Sequence, residues 1–259
     1  MSVRAKKHLG QHFLKDKNIC RKIADQYGQH MGCKKVLEIG PGMGALTEFL
    51  LQNDQLDVWV MDIDTESIEY LHNHFGKLEG KIIEADFLRT DLKQHFGEEP
   101  FAVVGNFPYN ISSQILFKCL DHRNQIPEIM GMLQKDVAQR VAEKPGSKQY
   151  GILSVLLQAF YDIDYCFTVD EHVFDPPPKV KSGVIRCTRN ERAQLPCDEK
   201  LFIQVVKMSF NQRRKTIRNS VKGLLNGQKL DHEYMALRPE VLSVEQFIEL
   251  TQMIAEIRG

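Results

Sequence analysis

The sequence has no surplus of either charge. Its 34 Lys and Arg face 34 Asp and Glu, for a formal net charge of zero. A uniformly polybasic nucleic-acid peptide is thereby excluded. It also lacks a long apolar run: the most apolar stretch, residues 150–161, is interrupted by Ser154 and Gln158 and is too short to span a bilayer. The N-terminus is charged but has no apolar segment behind it, so it does not read as a secretory signal. Its acid-free start before Asp16 has the look of a transit peptide, but residues 8–14 carry a motif with another role. None of the 6 cysteines forms a C-x-x-C pair, and none joins a Cys/His cluster with zinc spacing. Reduced thiols in a cytosolic protein without a metal centre are expected. A G-x-x-x-x-G-K-[ST] phosphate loop is missing, which argues against nucleotide hydrolysis. There is no internal repeat and no low-complexity segment. With 42% hydrophobic and 26% charged residues, the composition is that of a globular chain, not a disordered or collagen-like one. The 259 residues suffice for one large domain, or a main domain with a small appendage, around a sizeable core.

The zero conceals a distribution. Residues 1–35 hold 9 basic and 2 acidic side chains, a local charge of +7. Residues 200–222 hold 7 basic side chains (Lys200, Lys207, Arg213, Arg214, Lys215, Arg218 and Lys222) and no acid, again +7. The remainder therefore carries −14. Two basic blocks flank an acidic body. A basic block is either a solvated face or a phosphate-binding surface.

From residue 35 onward, strand-like and helix-like patterns alternate. Buried strands are expected over 35–40, 57–62, 81–85, 101–105 and 126–133, with helices over 44–51, 65–75, 112–120, 135–143 and 147–157. This is the signature of βαβ units: a mostly parallel Rossmann-like sheet with helices on both faces. Residues 159–169 and 180–188 are β-rich with no helix between them, so an antiparallel hairpin is expected at one sheet edge. From about residue 191 only helical periodicity remains (201–210, 215–225 and 244–257). The expected division is a domain of residues 1–190, with a basic N-terminal arm, and a small helical domain of residues 191–259.

Glu38-Ile-Gly-Pro-Gly-Met-Gly44 lies between the first strand and the first helix. Glycines there let the backbone approach a ligand closely. Gly40-x-Gly42-x-Gly44 differs from the dinucleotide fingerprint. An acid at the end of the second strand, about 20 residues on, would hold ribose hydroxyls. Asp62 and Asp64 both qualify, and Asp62, which ends the apolar run, is the better placed. Asp86 ends the next strand and can accept from an adenine amino group while Phe87 borders the ring. Together these residues describe an adenosine-containing ligand with no pyrophosphate contact, so S-adenosylmethionine fits better than NAD.

Asn106-Phe-Pro-Tyr-Asn-Ile-Ser112 follows the fourth strand, where ligands of open α/β sheets bind. The exocyclic amine of adenine is a poor nucleophile because its lone pair is delocalised into the ring. Two acceptors on its hydrogens, the Asn106 side-chain oxygen and the Pro108 carbonyl, would help the nitrogen turn pyramidal. Tyr109 can stack on the base. Phe174, ahead of three consecutive prolines, can face Tyr109 and complete a sandwich. Arg214, Arg218 and Lys222, at i, i+4 and i+8, would share one face of a continuous helix with Arg213 and Lys215 nearby, a stripe suited to a phosphate backbone.

With these residues in view, the chain resembles the KsgA-type ribosomal RNA adenine dimethyltransferases. Asn106-Phe-Pro-Tyr109, Glu38-Ile-Gly-Pro-Gly42 and Gly10-Gln-His-Phe-Leu14 are similar to that family's motifs. So are Leu133-Gln-Lys-Asp136, Tyr150-Gly-Ile-Leu-Ser154, the segment from Phe174 to Val180 with Ser182, and the segment from Phe210 to Ser220. The resemblance implies S-adenosylmethionine as methyl donor and S-adenosylhomocysteine as product. It implies dimethylation of two adjacent adenosines in a hairpin loop near the 3′ end of 16S rRNA, in an immature small ribosomal subunit. A cytoplasmic monomer is expected from the reduced thiols and from the absence of a coiled-coil heptad or an unused apolar stripe. The resemblance also implies that His12 and Leu14 line the cofactor site with Glu38, Gly40, Gly42, Asp62, Asp86, Phe87 and Asn106. Three departures are visible: Phe107 where the family usually has Leu, His12 where Asn is more common, and Asp62 where Glu is frequent. Methylation of large-subunit rRNA by the same core, and a non-catalytic binding role, are the competing readings.

Overall fold

The computed structural model describes residues 3–259; the first two residues of the expected N-terminal domain lie outside the described residues. Continuous apolar runs, as opposed to alternating ones, make strands buried on both faces. Four such runs, β2 (Lys35–Ile39), β3 (Asp57–Asp62), β5 (Ala102–Asn106) and β6 (Glu128–Gln134), form the centre of a seven-stranded sheet. β4 (Ile82–Glu84), β7 (Tyr161–Val169) and β9 (Ser182–Arg189) complete it in the order β4-β3-β2-β5-β6-β9-β7. The first five run parallel, and β9 runs antiparallel to β6, giving the expected antiparallel edge. A second, two-stranded sheet pairs β1 (Phe13–Leu14) with β8 (Phe174–Asp175). Nothing in the period of the sequence announces this pair.

Of the helices in this part of the chain, α2 (Thr47–Leu50), α3 (Thr65–His74), α5 (Ser112–Asp121) and α6 (Lys135–Ala142) fall within or close to expected spans, whereas α1 (Lys17–Gln26) and α4 (Lys93–Phe96) are helices that the sequence pattern does not announce. α2 is shorter than the span 44–51, since the glycine loop takes up its first turn. The chain order reverses at β2: it proceeds outward through β3 and β4, then crosses to β5 on the other side. A crevice opens at such a reversal, beyond the carboxyl ends of the strands. Gly40, Asp62 and Asn106 all lie at those ends.

The chain separates into two compact units, residues 3–138 with Asp162–Arg189 and Gln139–Tyr161 with Asn190–Gly259. The second unit differs from the expected 191–259 domain by taking in residues 139–161. Burial explains the difference. Tyr150, Leu153, Val155, Leu156 and Leu157 are buried, and Tyr150 meets the Phe210 ring edge-on at 6.1 Å. The segment 147–157 is helical only as α7 (Ile152–Gln158), because Gly151 is extended and Ser154 caps the helix by accepting the Gly151 N–H at 2.9 Å. The remaining helices of this unit are α8 (Glu199–Asn211), α9 (Ile217–Ser220) and α10 (Val244–Arg258). The continuous helix expected over 215–225 is absent. α8 ends at Asn211, and a short 3-10 turn at residues 222–224 follows α9. Buried Ile217 opens α9, and its N–H, which has no acceptor within the helix, donates to the Leu237 carbonyl at 2.8 Å; α9 stops at Ser220. Among the described residues no helix is long and apolar enough to cross a membrane.

Phe107 is fully buried. A Cβ on Gly131 of β6 would lie 2.5 Å from its ring, and one on Gly105 would lie 3.2 Å from it. The two glycines make the space that a phenylalanine needs where leucine would need less. Gly131→Ala should therefore destabilise the fold by about 1–3 kcal/mol. Phe107→Leu in the same chain should restore most of that loss, as read by chemical denaturation; additive losses would refute the coupling.

Candidate active site

Gly40, Gly42 and Gly44 carry φ of +65°, +55° and +77°, the left-handed region that glycine enters without penalty. A Cβ on Gly42 would lie 2.7 Å from the Phe13 ring. The loop thus turns tightly after β2 with the N-terminal segment laid directly on it. Gly42 donates its N–H to Asp62 Oδ2 at 3.3 Å, and Asp64 donates its N–H to Asp62 Oδ1 at 2.9 Å. Burial pushes the Asp62 carboxyl above its ordinary value, against these backbone hydrogen bonds and with the nearby Asp64 charge adding to the rise.

Asp64 has a different task. It caps α3 by accepting the Glu66 N–H, and it receives Gln11 Nε2 at 2.9 Å as well as the Lys6 ammonium. Burial alone would raise its carboxyl, but the hydrogen bonds from Gln11 and Lys6 outweigh it and hold the group below its usual range. The choice between the two acids is thus resolved by their partners. Asp62 borders the crevice, and Asp64 pins the N-terminal segment.

A cavity of about 230 Å³ lies over the carboxyl ends of the strands. His12, Gly40, Gly42, Asp62, Asp86, Asn106, Pro108 and Tyr109 all line it. Four other residues named from the sequence do not. Leu14 is buried in the core beneath, where β1 meets β8. Glu38 lies behind the glycine loop and accepts from the Thr47 hydroxyl at 2.6 Å. Phe87 points into the interior, and Leu88 lines the cavity in its place. Phe174 does not face Tyr109: it pairs with Leu14 across the two-stranded sheet and is only 1% exposed. Burial of an aromatic ring outweighs the loop stiffness that the prolines supply.

The sequence reading missed Gln11, Phe13, Ile63 and Leu88 as lining residues. Ile63 carried a signal: it follows the strand-ending acid, is 53% exposed, and offers an apolar face at the cavity wall. The loop bearing Asp86 and Leu88 is tied to α5, since Lys118 Nζ donates to the Leu88 carbonyl at 3.2 Å and Asp86 Oδ1 accepts the Leu88 N–H at 2.9 Å.

At the other end of the cavity Asn106 Nδ2 donates to the His12 carbonyl at 2.9 Å. The amide orientation follows, and Oδ1 remains the free acceptor. The Pro108 carbonyl accepts from the Ile111 N–H at 3.1 Å and keeps a second lone pair. Tyr109 is half-buried, its hydroxyl 2.5 Å from Ser182 Oγ and its ring centroid 5.4 Å from that of His12. His12 Nδ1 lies 2.8 Å from the Pro176 carbonyl, so Nδ1 carries the proton. A narrow, partly apolar crevice with a strand-end carboxylate and a positive-φ glycine loop fits the nucleoside part of S-adenosylmethionine.

Of the basic residues, Arg214, Lys215, Arg218 and Lys222 are exposed, on a segment that winds through turns in place of one helical face. Arg213 is engaged within its own unit, donating to the Ser147 carbonyl at 3.2 Å and lying 3.9 Å from Glu240.

Glu38 generates a pH prediction. Burial, helped by the Asp62 charge and opposed by the Thr47 hydroxyl, pushes its carboxyl up to about 8. The folded protein then holds a proton that the unfolded chain releases, so this group costs stability as pH rises from about 4.5 to about 8. Glu38→Gln should flatten that part of the profile, measured as denaturation midpoints from pH 5 to 8.5. Parallel profiles for the variant and the parent would refute it.

Known proteins are similar to this chain along nearly its whole length. The family described as "Ribosomal RNA adenine dimethylase" matches residues 2–256. Proteins named ribosomal RNA small subunit methyltransferase A are similar along nearly the whole chain. The one from Cytophaga hutchinsonii is 57% identical, covering 98% of each chain. That from Parabacteroides distasonis is 59% identical, over 96% of this chain and 93% of its own. Among solved structures, a dimethyladenosine transferase from Plasmodium falciparum has the same fold, with a TM-score of 0.77, 24% identity and coverage of 95% and 98% of the two chains. The 23S rRNA methyltransferase ErmE follows at TM-score 0.64 and 26% identity, covering 94% of this chain and 99% of its own. The chain belongs to the ribosomal RNA adenine dimethylase family and is an S-adenosylmethionine-dependent methyltransferase of rRNA adenine with the class I fold.

Proposed function

We propose that the protein methylates the N6 amino groups of two adjacent adenosines in the hairpin loop near the 3′ end of 16S rRNA. The product is N6,N6-dimethyladenosine, made on an immature small subunit by a cytoplasmic monomer. The observation that carries this reading is the Asn106 side chain. Its nitrogen is committed to the His12 carbonyl, which leaves an oxygen acceptor beside Pro108 and Tyr109 at the cavity end. The names borne by relatives at 53–59% identity favour the small subunit over the large-subunit reading.

Bound S-adenosylmethionine supplies an electrophilic methyl group. Gly40, Gly42, Asp62, Asp86 and His12 would hold it, with Ile63 and Leu88 against its base. Asn106 Oδ1 and the Pro108 carbonyl would accept the two N6 hydrogens. Acceptors placed in this way favour a pyramidal nitrogen with its lone pair localised on it, and they stabilise the positive charge that develops there. Tyr109, its hydroxyl fixed by Ser182, would stack on the base. No general base is needed before transfer, because the alkylated nitrogen is acidic and loses its proton afterwards. After the first methylation one N–H remains, and a single acceptor holds it for the second. Arg214, Lys215, Arg218 and Lys222 on the 191–259 segment would contact phosphates, whereas Arg213 holds its own unit together.

Mass spectrometry of rRNA from undermethylated small subunits, incubated with the protein and labelled cofactor, should show dimethyladenosine at two neighbouring positions. Asn106→Ala should lower the rate by at least about 100-fold while S-adenosylhomocysteine still binds. Label in 23S rRNA, or none with folded protein, would overturn the reading. RNA binding should weaken steeply with salt despite the zero net charge. Alanine at Arg218 and Lys222 should each reduce the log–log salt slope by about one. A slope unchanged by both substitutions would remove that segment from the interface.

A further inference from the structure

A second cavity lies just beyond the residue that anchors Tyr109. Ser182, which holds the Tyr109 hydroxyl, is the register partner of Gln134 at the end of the β6–β9 ladder. One residue further, the Lys135 N–H donates to the Lys181 carbonyl at 2.9 Å. Past this step is a cavity of about 370 Å³ walled by Lys135, Asp136, Glu171, Lys179, Val180 and Lys181. It sits at the carboxyl end of β6, on the same side of the sheet as the cofactor crevice.

Three features of its wall differ in chemistry. Lys181 is held by Asp170 at 2.5 Å, and Lys135 and Lys179 complete the cationic side. Val180 leaves 45% of its surface open. Glu171 adds a carboxylate to the same wall. A bare phosphate would satisfy the lysines but would be repelled by Glu171. A nucleotide satisfies all three features. Its phosphate meets ammonium groups, its base covers an aliphatic side chain, and an amino or imino edge donates to the carboxylate.

We propose that this cavity holds the nucleotide adjacent to the methylated adenosine, with its base edge on Glu171 and its phosphate on Lys135 and Lys179. The proposal rests on Tyr109 being the platform for the target base. It makes Glu171 a specificity-determining residue, since the neighbour's base fixes which adenosine reaches Asn106.

The test is a two-by-two comparison. Small subunits are reconstituted with rRNA that is intact or carries an abasic residue on the 5′ or the 3′ side of the methylated adenosine. Each is methylated by the parent protein and by Glu171→Gln, and kcat/KM is read by mass spectrometry. With intact RNA, Glu171→Gln should lose about 10- to 100-fold. The abasic residue on one flank should cost the parent about as much and cost the variant nothing further. Lys179→Ala should raise KM and leave kcat unchanged. S-adenosylhomocysteine affinity, measured by calorimetry, should be the same in all variants, showing the cofactor side intact. Multiplicative losses at both flanks, or parental activity in Glu171→Gln, would overturn the proposal. If the parent methylates small subunits but the cycle shows no coupling, the subsite alone fails. If the parent methylates no rRNA, the reading of the Tyr109 site fails first.

Discussion

The Asp62 carboxylate is the constraint to which the cofactor side of the molecule is fitted. Its two oxygens accept the Gly42 and Asp64 amides, so one side chain fixes both the glycine loop after β2 and the turn after β3. Asp64, placed in this way, caps α3 and binds Lys6 and Gln11. Through it the N-terminal segment is drawn across the strand ends, where Phe13 occupies the space that Gly42 leaves by having no side chain. Remove the acid at 62 and the loop, the helix cap and the covering segment lose their common reference.

A parallel dependency governs the other end of the crevice. Asn106 and Pro108 flank Phe107, whose ring is buried against Gly105 and Gly131. Phe107 also donates its N–H to the Met132 carbonyl at 2.9 Å, so the loop is fastened to β6 by backbone and side chain alike. In the proposed reaction this fixing matters, because acceptors that meet a developing charge then need no rearrangement. The His12 carbonyl adds the final restraint by holding the Asn106 amide in one orientation. The two ends of the crevice are thus joined by a single segment: Gln11 binds Asp64, and His12 binds Asn106.

Much of this was legible in the sequence, and the failures share a cause. Strand runs, the strand-ending acids and the loop after β5 are local patterns, and each lies where its period places it. Phe174, Leu14, Phe87 and Glu38, which motif, loop stiffness or resemblance places at the site, lie outside the cavity, because their side chains are buried elsewhere. Phe174 and Leu14 are partners across a two-residue strand pair separated by 160 positions, which no periodicity can signal. The continuous basic helix failed too. Its spacing is regular, but the segment divides into α9 and the 3-10 turn at residues 222–224, so the basic side chains do not share one helical face. Gln139–Tyr161 was placed in the wrong unit because strands precede and follow it, whereas its apolar side chains pack with α8.

The zero net charge can now be read in parts. Several of the acids that offset the basic blocks are consumed inside the first unit: Asp62 on backbone amides, Asp64 on the N-terminal segment, and Glu128, fully buried, on Arg186 and the Gly28 and His30 amides. Glu38 adds little negative charge near neutral pH, since burial pushes its carboxyl up to about 8. Among the basic residues, Lys6 and Arg213 are likewise spent on internal partners. What stays exposed between residues 211 and 222 is positive without an intervening acid. A formal sum counts internal and external charges alike, but only the external ones are met by a polyanion. A protein neutral in total can therefore meet a polyanion with a strong salt dependence where its exposed bases cluster in a segment free of acids.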